Sequence, residues 1–158
     1  IEVARIALGL RMKVIAADTF VGKANIEVDF YNGQSINVDI ITEPIEQILK
    51  EADIITLHVP AQKGFVIGKE QLDMMKDGVM LINCARGGVI DEEALIDALD
   101  SGKVRFAGLD VFENEPAPSD KILAHSKISL SPHIGAATLE AQDRIGEELA
   151  DQINEILS

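Results

Sequence analysis

Arg86, Glu115 and His133 each stand in a short segment built from turn residues. Arg86 lies in Asn83-Cys84-Ala85-Arg86-Gly87-Gly88, Glu115 just before Pro116, and His133 just after Pro132. A guanidinium, a carboxylate and an imidazole are the groups that hydride transfer to an anionic keto acid requires. The guanidinium forks onto the substrate carboxylate. The imidazolium protonates the carbonyl oxygen as hydride reaches carbon, and the carboxylate keeps the imidazole charged and oriented. Each residue also has a plainer reading: Arg86 as an exposed loop arginine, Glu115 as part of the acidic turn Glu113-Asn114-Glu115-Pro116, His133 as a structural histidine. Together they point to an oxidoreductase.

Such a trio needs a scaffold that brings distant segments to one place. Apolar, β-rich runs at residues 13–17, 54–59, 79–83, 106–111 and 128–130 alternate with helical patterns at 46–52, 69–76, 92–99 and 139–157. Asp91 is the expected N-cap of the helix at 92–99, with acids in its first turn and Ser101-Gly102 as its stop. Residues 1–11 carry a helical stripe of Val3, Ile6, Ala7 and Leu10 with no capping residue before it, so the start of that helix is expected to lie upstream. Residues 26–41 are the least regular, with a minor edge strand expected at 36–41. The pattern predicts a doubly wound α/β fold whose parallel sheet is covered on both faces. In open sheets of this kind ligands bind beyond the carboxyl ends of the strands. Asp18, His58, Arg86, Asp110 and His133 stand at or just beyond the carboxyl ends of the five expected strands. Structural sheets more often end in Gly, Asn or Ser turns, so the series favours one shared site.

Asp18 closes Val14-Ile15-Ala16-Ala17-Asp18, the place from which an acid accepts hydrogen bonds from an adenosine ribose and repels a 2′-phosphate. A solvated strand-end acid is the alternative. Cys84 is read as a small residue at the core edge rather than a nucleophile, for nothing near it in sequence favours a thiolate. Zinc binding by His58, His125 and His133 lacks any ligand spacing, and no metal is expected. His125, in a polar stretch, is expected to face solvent. The Gly87-Gly88 pair is read as flexible backbone that lets a ligand approach Arg86.

With 158 residues, 47% hydrophobic and 26% charged, the chain has material for a globular core. A formal charge of −13 argues against nucleic acid or an anionic membrane surface as partner, since both are polyanions. A small anionic substrate then needs a local cation, which Arg86 supplies. The single cysteine permits no intrachain disulfide and suits the cytoplasm. No apolar run approaches the ~20 residues of a membrane span.

Residues 14–18, 53–60, 75–78, 83–99, 107–116 and 131–138 together resemble the D-isomer-specific 2-hydroxyacid dehydrogenases, most closely the branch that oxidises 3-phospho-D-glycerate. The resemblance implies a Rossmann-like NAD-binding domain over 1–158, forming a homodimer through this domain. It implies that Arg86 binds the substrate carboxylate and polarises its carbonyl, that His133 is the acid/base, and that Glu115 is its partner. Asp18 would hold the adenosine ribose of NAD and Asp110 the nicotinamide carboxamide. Val59, Cys84, Ala85 and the turn of Ile134, Gly135 and Ala136 would add contacts to the dinucleotide, mostly through backbone. The expected substrate is a small 2-hydroxy or 2-keto acid; a glyoxylate or hydroxypyruvate reductase and an NAD-sensing corepressor-like scaffold are the rivals. Family members build a substrate domain from both chain ends. Almost none of it is present here, nor are the first strand and Gly-rich loop of the nucleotide domain. That strand is central, so the sheet is expected to split and the chain alone to be inactive.

Overall fold

The structure is a computed structural model that describes residues 1–157. Two compact units divide it, one of residues 1–53 with 74–76, the other of 54–73 with 77 onward.

The first unit holds α1 (Glu2–Gly9), β1 (Lys23–Asp29), β2 (Ser35–Ile41) and α2 (Ile45–Glu51). β1 and β2 form an antiparallel hairpin in which Ile26 faces Val38 and Ala24 faces Ile40. Its turn contains Asn32-Gly33, and Gly33 takes φ +80°, a conformation that glycine adopts without penalty. Alternation along the strands puts Ile26, Val28 and Ile40 on one buried face, packed with Ala4 and Leu8 of α1 and with Val14 and Ala16. A hairpin therefore replaces the lone edge strand expected at 36–41. Residues 13–17 are not the expected buried strand either. They make one isolated bridge, Ala16 to Thr42, and Val14, Ile15 and Ala16 are only half-buried. An apolar run becomes a strand only where a neighbour supplies a ladder of backbone partners, and here a single bridge supplies them.

The second unit carries a parallel sheet in the order β3 (Ile54–Leu57), β4 (Val79–Asn83), β5 (Val104–Leu109), β6 (Ile128–Leu130). All four lie where the sequence predicts strands. Between them run α3 (Lys69–Met74), α4 (Glu92–Ser101) and α5 (Asp120–Ala124), and α6 (Leu139–Leu157) follows. The capping signals of α4 act as expected. Asp91 accepts a hydrogen bond from the Ala94 N–H at 3.0 Å, and Gly102 ends the helix at φ +83°. Leu95 and Leu99 of α4, Leu81 of β4, Val104 of β5 and Ile122 of α5 are fully buried. Burying such a side chain contributes about 2 kcal/mol, so this layer carries the sheet and fixes its strand ends.

α5 has no counterpart in the sequence reading, because its single turn is too short for a helical period to show. It corrects the reading of His125, whose side chain is only 12% exposed. The imidazole lies 3.3 Å from Asp100 and accepts the Lys127 N–H at 3.2 Å. The strands form two separate sheets, the four-stranded parallel one and the antiparallel hairpin. No helix among the described residues is long and apolar enough to cross a membrane.

Candidate active site

β4, β5 and β6 are parallel neighbours, so the segments leaving their carboxyl ends run side by side. Arg86, Asp110 and His133 are on those segments, and His58 follows β3 at the same end of the sheet.

The Arg86 loop is held from below by Asn83, the last residue of β4 and 2% exposed. Its Oδ1 accepts the Ala85 N–H at 3.1 Å and its Nδ2 donates to the Arg86 carbonyl at 3.0 Å. The Asn83 carbonyl accepts the Asp110 N–H at 3.0 Å, tying this loop to the end of β5. A second tether is steric. A Cβ on Gly87 would lie 1.8 Å from the Phe112 carbonyl oxygen, so the two backbones meet where no side chain fits. Gly87 thus serves a backbone contact that the reading of the Gly-Gly pair as flexible did not foresee. Arg86 donates from Nη1 to the Ala85 carbonyl at 2.6 Å and is otherwise exposed, with no carboxylate partner among the described residues. A guanidinium in that state is available to an anion.

Asp110 follows β5 directly and is 4% exposed. Its Oδ1 accepts the Ser131 hydroxyl at 2.6 Å and the Ile134 N–H at 3.0 Å, and its Oδ2 accepts the Gly135 N–H at 3.0 Å. Those donors bracket His133, which has φ +54°. A left-handed conformation costs a non-glycine residue about 1–2 kcal/mol, and the clasp by Asp110 offsets it. Burial pushes the Asp110 carboxyl up, but the Ser131 hydroxyl, both N–H groups and the His133 imidazole together hold it below the usual range.

His133 Nδ1 lies 2.7 Å from Glu115 Oε2, and Glu115 Oε1 accepts the Phe112 N–H at 3.0 Å. With Nδ1 engaged by the carboxylate, Nε2 is the nitrogen free to exchange a proton with a ligand. The His133 hydrogen bond, followed by that of Phe112, holds the Glu115 carboxyl below its ordinary value. A depressed carboxyl stays ionised through neutral pH and loses its charge only as pH falls through the lowered value, so the stabilisation of the imidazolium is present above that point. Glu115→Gln removes it. If the site reduces a keto acid, as the sequence predicts, the alkaline limit of that reaction is then expected to move to lower pH in a pH–rate profile, whereas an unchanged profile would take Glu115 out of the pair.

The remaining expected contacts are scattered more widely. Ala85 is buried, Val59 is half-buried, and Ile134, Gly135 and Ala136 are exposed in the turn that Asp110 clasps. Cys84 is exposed rather than at the core edge, and desolvation with the nearby Asp110 charge pushes its thiol up, away from a nucleophilic thiolate. The His58 ring is 3.1 Å from the Thr56 hydroxyl, and partial burial pushes it toward the neutral form. Asp18 belongs to the first unit. Its Oδ1 accepts the N–H groups of Phe20 at 2.7 Å and Val21 at 2.9 Å, while its Oδ2 has no partner among the described residues. That leaves one carboxylate oxygen able to accept a further hydrogen bond. Asn83 and Ser131 support these segments and were not singled out by sequence reading. The signals were an Asn at a strand end and a Ser two residues before the histidine.

A parallel sheet with a hydrogen-bonded His–Glu pair, a buried clasping aspartate and an exposed arginine at its carboxyl end has the arrangement of a nucleotide-binding domain of the dehydrogenase type. The sequence pattern described as "D-isomer specific 2-hydroxyacid dehydrogenase, NAD binding domain" matches residues 1–135. A hydroxypyruvate reductase of Thermotoga maritima is 45% identical over 96% of this chain and 47% of its own length. A D-3-phosphoglycerate dehydrogenase of Methanocaldococcus jannaschii is 40% identical over 99% of this chain and 29% of its own. The crystal structure of the D-lactate dehydrogenase of Aquifex aeolicus complexed with NAD and lactic acid superposes with a TM-score of 0.71 at 32% identity, covering 98% of this chain and 49% of that one. The chain belongs to the D-isomer-specific 2-hydroxyacid dehydrogenases. It spans less than half the length of these relatives.

Proposed function

We propose that residues 1–158 are part of the NAD-binding half of a dehydrogenase that interconverts a D-2-hydroxy acid and its 2-keto acid, with 3-phospho-D-glycerate and 3-phosphohydroxypyruvate as the pair. The observation that carries the reading is the 2.7 Å bond between His133 and Glu115 on segments adjoining the Arg86 loop. Bound NAD supplies the hydride acceptor or donor. Arg86 holds the substrate carboxylate and draws density from the carbonyl. His133 Nε2 protonates the carbonyl oxygen in reduction and takes the hydroxyl proton in oxidation, with Glu115 stabilising the imidazolium. Asp110 keeps His133 in place and offers the carboxamide an acceptor, and the backbone of Val59, Cys84, Ala85 and 134–136 lines the cofactor. The same reading carries a cytoplasmic location, a role in serine biosynthesis and a homodimer through this domain.

The identity of 45% to a hydroxypyruvate reductase favours a second substrate reading, reduction of hydroxypyruvate or glyoxylate. Comparing kcat/KM for 3-phosphoglycerate oxidation with that for glyoxylate and hydroxypyruvate reduction, in the full-length polypeptide carrying this chain, separates the two. Greater efficiency with the unphosphorylated acids would reject the first. Negligible turnover of all of them, with partner binding that depends on NAD, would favour a scaffold instead. Cofactor preference tests Asp18. Its charge opposes a 2′-phosphate, so kcat/KM is expected to be higher with NAD than with NADP, and parity would remove Asp18 from the ribose site.

A further inference from the structure

Glu92 is a buried acid for which the proposed chemistry has no use. It opens α4, is 7% exposed, and exchanges hydrogen bonds with Glu113. The Glu92 N–H donates to Glu113 Oε1 at 2.8 Å, and the Glu113 N–H donates to Glu92 Oε1 at 2.8 Å. Burial pushes the Glu92 carboxyl up; the Glu113 N–H opposes that and the Glu113 charge adds to it. A group held under such conditions costs stability unless its bonds secure something. What these bonds secure is the segment after β5. Phe112 precedes Glu113, presents its carbonyl to Gly87 and donates its N–H to Glu115. Two residues beyond Glu113, Glu115 grips His133.

We infer that Glu92, clasped reciprocally with Glu113, is a positioning residue that fixes the 112–115 segment and so sets both the Glu115–His133 bond and the seat of the Arg86 loop. The inference rests on the dehydrogenase reading and names a part of its machinery away from any ligand. Glu92 acts as an acceptor aimed at one N–H, so a neutral amide oxygen can replace it. The charged groups around the clasp are Glu113 itself, Asp91 and Glu93 beside Glu92 in sequence, and His133 and Asp110 around Glu115.

The experiment uses the full-length polypeptide, with Glu92→Ala, Glu92→Gln and Glu113→Ala compared for thermal unfolding and for the pH dependence of keto-acid reduction. Glu92→Ala and Glu113→Ala are expected to lower kcat/KM about tenfold, the scale of a small misplacement of reacting groups. Both should also move the alkaline limit to lower pH, in the same direction as Glu115→Gln. Glu92→Gln should recover most of the lost activity. A folded Glu92→Ala whose pH profile is that of the parent would overturn the inference, leaving Glu92 a purely structural acid. So would a Gln variant as impaired as the Ala variant. If Glu92→Ala does not fold, Glu113→Ala decides, because Glu113 is exposed and losing its side chain breaks the bond to the Glu92 N–H without emptying a buried site. A parent protein that reduces no keto acid would instead refute the dehydrogenase reading.

Discussion

Replacing His133 by glutamine is expected to lower kcat by at least ~10²-fold, the scale of general acid/base catalysis, with NAD affinity nearly unchanged. Glutamine keeps a hydrogen-bonding group near Glu115 but has no titrating nitrogen to place at Nε2. Loss in kcat with little change in cofactor Kd is the signature of a group that acts in the transition state. The structure makes the substitution informative because the backbone at 133 is clasped by Asp110 through Ser131, Ile134 and Gly135, none of which bonds to the imidazole. The measurement is steady-state kinetics beside NAD titration. A variant that retains kcat would assign proton transfer to another group.

Gly87→Ala is expected to be comparably damaging for a different reason. The new Cβ would meet the Phe112 carbonyl oxygen at 1.8 Å and its carbon at 2.6 Å, both backbone atoms with no rotamer to escape into. Either the Arg86 loop or the 112–115 segment must shift. Overpacking of this kind costs ~1–3 kcal/mol of stability. A shift of about 1 Å at the site costs ~10² in kcat/KM. Gly88→Ala is the control. It has φ +73° but open space around it, so it should lose only the ~1–2 kcal/mol of left-handed strain and retain most activity. Thermal unfolding and kcat/KM for the two variants check this, and equal kinetics would show that Gly87 does not seat Arg86.

Where the chain repeats a period or ends an element with a capping residue, its structure is legible in the sequence. The four strands of the parallel sheet, the Asp91 cap and Gly102 stop of α4, and the length of α6 all follow from local rules. The His133–Glu115 pairing follows too, since the chemistry names two groups and a turn near each brings them within reach. Residues 13–17 fail the same test because apolar content does not supply ladder partners, and Ala16 finds just one. The hairpin is carried by Asn32-Gly33 between alternating apolar runs, a signal of turn chemistry rather than hydrophobicity. The bonds of Asn83, Ser131 and Glu92 depend on which loops become neighbours in space. Nothing in the local sequence carries that. The steric role of Gly87 arises the same way, from a carbonyl 25 positions further on.

The central claim is that this site serves direct hydride transfer between a nicotinamide and a 2-keto acid. Its most direct test follows isotope from NADH deuterated at the transferable position of the nicotinamide into the product formed by the full-length polypeptide. The account predicts deuterium on the carbon that bore the keto group, in a D-2-hydroxy acid, with the rate of labelling cut by ~10² or more in His133→Gln. Product without the label, or labelling that His133→Gln leaves unchanged, would contradict it.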